Sequence, residues 1–210
     1  VVPVNDAPTG ITLSSTAFGQ STGSNAVVAT LTATDVDSSA FTYSLVSGVG
    51  DTDNARFTLP GDTLRVNASG MSAGTYSVRL QVSDGQATFD KVVLLTVVDD
   101  IAPTFDQAPA ISNPTPSGFT ISGSVTEAST FYYVVVPDGA STPSVAQVVN
   151  GQNASGSLAF ASGSQVLSSS PYDFSMTLAG LAASTQYDVY VVAKDSAGNA
   201  TLSVVKLDVT

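Results

Sequence analysis

Apolar and polar residues alternate over much of the first half of the chain. Ala26 to Thr34 (AVVATLTAT) places Val27, Ala29, Leu31 and Ala33 on one face, and Phe41 to Val46 repeats the pattern. Alternation with period two marks a strand that buries one face. Phe57-Thr58-Leu59, the turn Pro60-Gly61-Asp62, and Thr63 to Val66 predict a hairpin. Tyr76 to Val82 alternates cleanly and stops at Ser83-Asp84-Gly85. Phe89 to Val98 comes next, and Ile11-Thr12-Leu13 opens the set. About seven short strands separated by turn signals predict a β-sandwich.

The second half predicts strands at Phe119-Thr120-Ile121, Tyr132 to Val136, Ser157 to Ala161, Phe174 to Leu178, Tyr187 to Ala193 and Leu202 to Val209. One segment breaks the style. Ser141-Thr142 precedes Pro143 to Val149, and Asn150-Gly151 comes after it. A Ser/Thr cap, proline in the first turn and Asn-Gly at the end predict a two-turn helix. Period two across Tyr132-Tyr133 sends one ring inward and the other out, where it could meet a sugar.

Val4-Asn5-Asp6-Ala7-Pro8 and Val98-Asp99-Asp100-Ile101-Ala102-Pro103 share one plan: a valine, acidic or amide residues, then Ala-Pro. Proline interrupts a strand ladder and stiffens the entry to the next domain. The expected domains are 1–100, with 1–6 as the tail of a preceding linker, and 101–210. Leu207 to Thr210 reads as the start of a later linker, so the whole reads as an excerpt of a tandem array.

Composition narrows the chemistry. The 210 residues carry 6 basic and 17 acidic groups, a net charge of −11, and no His, Cys or Trp. Without His or Cys there is no Ser-His-Asp or Cys-His triad, no zinc site of the usual kind and no disulfide. The acidic balance disfavours nucleic acid, and no run reaches the ~18 apolar residues of a membrane helix, so no membrane insertion is expected. Glu127 is the only glutamate, so the acids are nearly all Asp, a residue of turns rather than helices.

Two groups of carboxylates stand out. Asn5-Asp6 precedes the first predicted strand, Asp35 and Asp37 follow the second, and Asp84 follows the sixth. In a sandwich those loops meet at the pole where the chain enters. Two unit charges ~4 Å apart cost about 4 kcal/mol at an effective dielectric of ~20. Splayed loops or a cation relieve that repulsion, and calcium takes about 6–8 oxygen ligands of this kind. A second, weaker set is Asp99 and Asp100 with Glu127 and Asp195, brought to the opposite pole by the same topology. Lys194 beside Asp195 offers a competing ion pair.

TATDVD, the ARFTLPGDTLRV hairpin, TYSVRLQVSDG and the NDAP linker resemble a cadherin-like repeat of bacterial surface proteins over about residues 1–100. The resemblance implies calcium ligation at repeat junctions by the D-x-D pair (Asp35, Asp37), the Asp before Gly85 (Asp84) and the N-D linker (Asn5, Asp6). Met71-Ser72-Ala73-Gly74 stands where the family has L-D-R-E, and the first strand region has no glutamate. The segment Leu178 to Ala193 (LAGLAASTQYDVYVVA) resembles the fibronectin type III signature, and that likeness covers about residues 102–210. It implies a tyrosine corner at Tyr187, the hydroxyl bonded back to the preceding loop.

The expected architecture is therefore all-β: two tandem Greek-key β-sandwiches, the second with a short helical insert. The expected role is non-catalytic, a calcium-stiffened stalk or adhesive segment of a large secreted, bacterial surface protein. Its expected partners are neighbouring repeats. Alternatives are a protomer of an extracellular fibre, pairing with itself, and an accessory or carbohydrate-binding module that meets a cell-surface glycan.

Overall fold

The computed structural model describes residues 4–67 and 69–209. Val1 to Pro3 of the expected linker tail, and Thr210, lie outside the described residues. The chain divides into two compact units, Val1–Asp100 and Ile101–Thr210.

The first unit is a sandwich of two four-stranded sheets. Its strands are β1 (Gly10–Leu13), β2 (Ala17–Gly19), β3 (Val27–Thr34), β4 (Thr42–Leu45), β5 (Phe57–Thr58), β6 (Thr63–Val66), β7 (Gly74–Ser83) and β8 (Thr88–Val98). One sheet runs β1-β3-β6-β5 and the other β2-β8-β7-β4. All pairings are antiparallel except β2 with β8, which is parallel with Phe18 opposite Val97. Ile11, Leu31, Phe57, Leu64 and Val66 from one sheet meet Val78, Leu80, Val82, Leu95 and Val97 from the other. These are the alternate positions of each strand, so the period-two pattern maps directly onto the core. The ladder between β3 and β6 shifts register between Val27 and Ala29. That irregularity turns Val28 inward and leaves Val27 51% exposed, against the expectation that Val27 shares a face with Ala29.

The second unit contains β9 (Phe105–Thr115), β10 (Gly118–Val125), β11 (Ser129–Pro137), α1 (Val145–Val149), β12 (Ala161–Leu167), β13 (Asp173–Ala179), β14 (Tyr187–Lys194) and β15 (Val205–Val209). A three-stranded sheet, β13-β10-β9, packs on a four-stranded one, β12-β11-β14-β15. Phe119, Ile121, Phe131, Phe174, Val189 and Val191 fill the space between them, with Phe131 stacked on Phe174 at 3.9 Å. Leu207 to Val209 belong to β15, not to a linker.

The four-stranded sheet is also buried on its outer face. Val134, Val136, Tyr190 and Val192 point away from the main core and are covered by Val148 of α1 and its neighbours. This third layer explains why β14 is apolar at every position from Val189 to Ala193: both faces need apolar side chains. The helix is capped by Ser144 rather than by Ser141 or Thr142. Gln147 N–H donates to Ser144 Oγ at 3.3 Å, and Ser144 N–H donates to Gln147 Oε1 at 2.8 Å, a reciprocal capping box. Tyr133 faces the main core and Tyr132 the outer layer. A Cβ at Gly163, opposite Tyr133, would lie 2.7 Å from the tyrosine ring, so only glycine lets that ring lie across β12.

Candidate metal centres

The loops that carry the first group share one end of the sandwich, although among the described residues no three of its carboxylates lie within 4.8 Å of one another. β3 ends at Thr34 and β7 at Ser83, so Asp35, Asp37 and Asp84 sit in the loops at the end where residues 4–9 enter. Asn5 Nδ2 donates to Asp84 Oδ2 at 2.9 Å, and Asp6 N–H donates to Asp37 Oδ2 at 3.2 Å. The entering segment is thus fastened to both loops.

Within each loop the carboxylates also organise backbone. Asp35 Oδ1 accepts from Asp37 N–H at 3.0 Å and Ser38 N–H at 3.1 Å. Asp84 Oδ1 accepts from Gln86 N–H and Ala87 N–H, both at 2.7 Å. These are the side-chain-to-backbone turns that Asp favours.

The charges are unequal in consequence. Asp84 is held below its ordinary carboxyl value, chiefly by the Ala87 N–H and then by the Asn5 and Gln86 donors. Asp35 is lowered, first by the Asp37 N–H. Asp37 is pushed up, first because its side chain lies against the Asp35 carboxyl, with the charges of Asp35 and Asp6 adding to the effect. Asp35 Oδ2 is shielded from solvent and accepts no hydrogen bond among the described residues. The two carboxylates repel each other, and a cation between them relieves that repulsion.

Two residues of the second group lie in the second unit. Glu127 lies just beyond β10, and Asp195 comes directly after β14. Their carboxylate oxygens lie within 4.8 Å of each other. Asp195 is 8% exposed and rigidly held: Gly198 N–H and Asn199 N–H donate to Oδ1 at 2.7 and 2.8 Å, and Asn199 Nδ2 donates to Oδ2 at 2.8 Å. Asp100 turns elsewhere. Ser21 N–H and Ser21 Oγ donate to its two oxygens at 2.7 and 2.6 Å, within the first unit, which lowers its carboxyl pKa. Asp99 is the penultimate residue of the first unit.

A third acidic group, Asp138, Asp188 and Asp208, is not apparent from the sequence pattern. Asp188 is fully buried in β14, and Lys206 Nζ sits 3.0 Å from its Oδ1 and 2.7 Å from Asp208 Oδ1. Gly139 N–H donates to Asp188 Oδ2 at 3.1 Å. Lys206 is raised, first by Asp208 and then by Asp188, and Asp208 is lowered by Lys206. The ammonium offsets one of the three charges and pairs with Asp188 and Asp208. Its only sequence signal is an Asp inside the apolar run YDVYVVA.

The tyrosine corner is formed. Tyr187 is 4% exposed and its hydroxyl accepts from Ala182 N–H at 3.2 Å.

The strand orders define two all-β sandwiches, the second with an added helical layer. No family model matches the chain, and no curated protein does. Among solved structures the chain is similar to human protocadherin-24 EC1-2, at 17% identity and a TM-score of 0.46, covering 99% of this chain and 98% of that one. It is also similar to a two-domain fibronectin type III segment of chicken tenascin, at 11% identity and a TM-score of 0.38, covering 97% of this chain and 98% of that one. Among the described residues no helix is long and apolar enough to cross a membrane.

Proposed function

We propose that the chain is a non-catalytic structural module of an extracellular adhesive or stalk protein, and that the entry pole of its first unit binds calcium. Asn5, Asp6, Asp35, Asp37 and Asp84 offer only hard oxygen ligands, the donor set calcium prefers. The observation that carries the reading is the apposition of the Asp35 and Asp37 carboxyls beside the entering Asn5-Asp6 segment. A divalent cation there offsets both charges and ties the entering segment to two loops at once. Glu127 and Asp195 form a second, smaller set for the same ion. Extracellular sites of this kind bind with Kd about 10⁻⁴–10⁻³ M. At ten times Kd, one site stabilises its unit by about 1.4 kcal/mol. That suffices to fix the direction of a connecting segment without being required for folding.

Calorimetric titration with calcium tests the proposal. Asp37→Ala is expected to abolish uptake at the entry pole while leaving the unit folded, because Asp37 contributes no core packing. Equal uptake by Asp37→Ala and the parent overturns the assignment.

A further inference from the structure

The helical layer leaves part of the sheet beneath it open. Two hollows, of about 240 and 370 Å³, flank the C-terminal end of α1 and share Val149 and Asn150 as the ridge between them. The first is floored by Tyr132, whose cross-strand neighbours are Ser164 on β12 and Val192 on β14. Ser162 and Ser164, with Gly163 between them, are too short to cover the ring. The second hollow contains Lys194.

Three features bear on what this groove can hold. No Asp or Glu lines either hollow, in a chain where acids outnumber bases 17 to 6. The side chains of Asn150, Ser162 and Ser164 make no hydrogen bonds among the described residues. Lys194 is the one basic side chain among the described residues with neither an ion pair nor a hydrogen bond. Arg56, Arg79 and Lys206 pair with carboxylates, while Arg65 and Lys91 donate to the Asn25 and Ile11 carbonyls.

We propose that this groove binds a short acidic saccharide, one containing a uronic acid. The tyrosine face suits the C–H face of a pyranose ring. The two hydroxyls and the amide can each donate and accept, which matches sugar hydroxyls. The ammonium pairs with the carboxylate. A short ligand is specified because the net charge of −11 repels long polyanions, whereas salt screens that field beyond about 10 Å. The proposal is independent of calcium at the entry pole.

The test is an amide chemical-shift titration of the full chain in EDTA, so that no calcium bridges the acids. Galacturonate and mannuronate trisaccharides are the probes, with a neutral galactose trisaccharide and acetate as comparators. Shifts are expected at Asn150, Ser162 to Ser164 and Lys194. An acidic sugar should bind about fivefold tighter than the neutral one, the scale of a partly exposed ion pair. Lys194→Gln should erase that preference while leaving neutral-sugar binding unchanged, and Ser164→Glu should repel the acidic sugars with the spectrum otherwise folded. Four outcomes overturn the proposal: no shift at these residues with either uronate, equal response to neutral and acidic sugars, shifts with acetate matching those with the uronates, or an undiminished preference in Lys194→Gln.

Discussion

Removing the hydroxyl of Tyr187 isolates one interaction in the second unit. The ring is 4% exposed and lies 5.2 Å from Phe160, so Tyr187→Phe keeps the packing and deletes only the acceptor for Ala182 N–H. A net hydrogen bond is worth about 0.5–1.5 kcal/mol. Ala182 is itself exposed, so water can take over its N–H, and the expected loss is about 0.5–1 kcal/mol. With a urea m-value of about 1–3 kcal/mol/M, the midpoint should fall by roughly 0.2–1 M. Tyr187→Ala also removes the buried ring and should cost about 3–5 kcal/mol. Tyrosine fluorescence during urea unfolding reports mainly on this unit, because Tyr132, Tyr133, Tyr172, Tyr187 and Tyr190 all lie in it. A Phe variant with the parent's midpoint refutes a stabilising corner. A Phe variant as weak as the Ala variant refutes the claim that the ring packs independently of its hydroxyl.

Val148→Ala removes two methyl groups from beneath the helical layer and should cost about 1.5–3 kcal/mol. Hydrogen exchange should show the amides of Val148 and Gln152 losing protection while Val189 and Val191 keep theirs; equal loss throughout would contradict a separable layer. Asp90 is held below its ordinary value of 3.8, first by Gln81 and then by Arg79. A depressed folded pKa contributes stability above the unfolded value and loses it as pH falls through the folded one. The urea midpoint of the first unit should therefore drop on acidification below about pH 4, and Asp90→Asn should flatten part of that drop; an identical acid profile in the variant would refute the contribution.

Most of the sandwich is legible in the sequence because an antiparallel sheet with one buried face writes its register into alternate residues. The β5–β6 hairpin, β7 and β8 obey that rule closely. The strands that escape it are those where the rule has no purchase. β9 contains Pro109 and Pro114 and survives because it is an edge strand with register shifts. β12 (ASGSQVL) is an edge too, and its outward serines dilute the signal. Strand β2 is only three residues long. The segment Ser157 to Ala161, expected as strand, comes after a turn in which Asn153 Oδ1 accepts from the Ser155 and Ser157 amides. Turn-forming Asx chemistry outweighs a weak alternation there. The convergence of Asp35, Asp37 and Asp84 can be read from loop order alone. Burial of Asp188 cannot, because its partner Lys206 lies eighteen residues further on, on a strand whose facing is set only by the finished sheet.

The parallel pairing of β2 with β8 has a mechanical consequence. β2 lies near the start of the first unit and β8 ends it, so tension along the polypeptide pulls these neighbours in opposite directions. Force then acts across the ladder from Ala17–Thr96 to Gly19–Val98 and its flanking bonds, Thr96 N–H to Thr16 O at 2.8 Å and Gln20 N–H to Val98 O at 2.8 Å. These bonds are loaded in shear and must fail nearly together, whereas a ladder peeled from one end fails one bond at a time. In the second unit the first and last strands, β9 and β15, belong to different sheets and share no ladder. Under load the first unit should therefore be the clamp and the second the element that yields first.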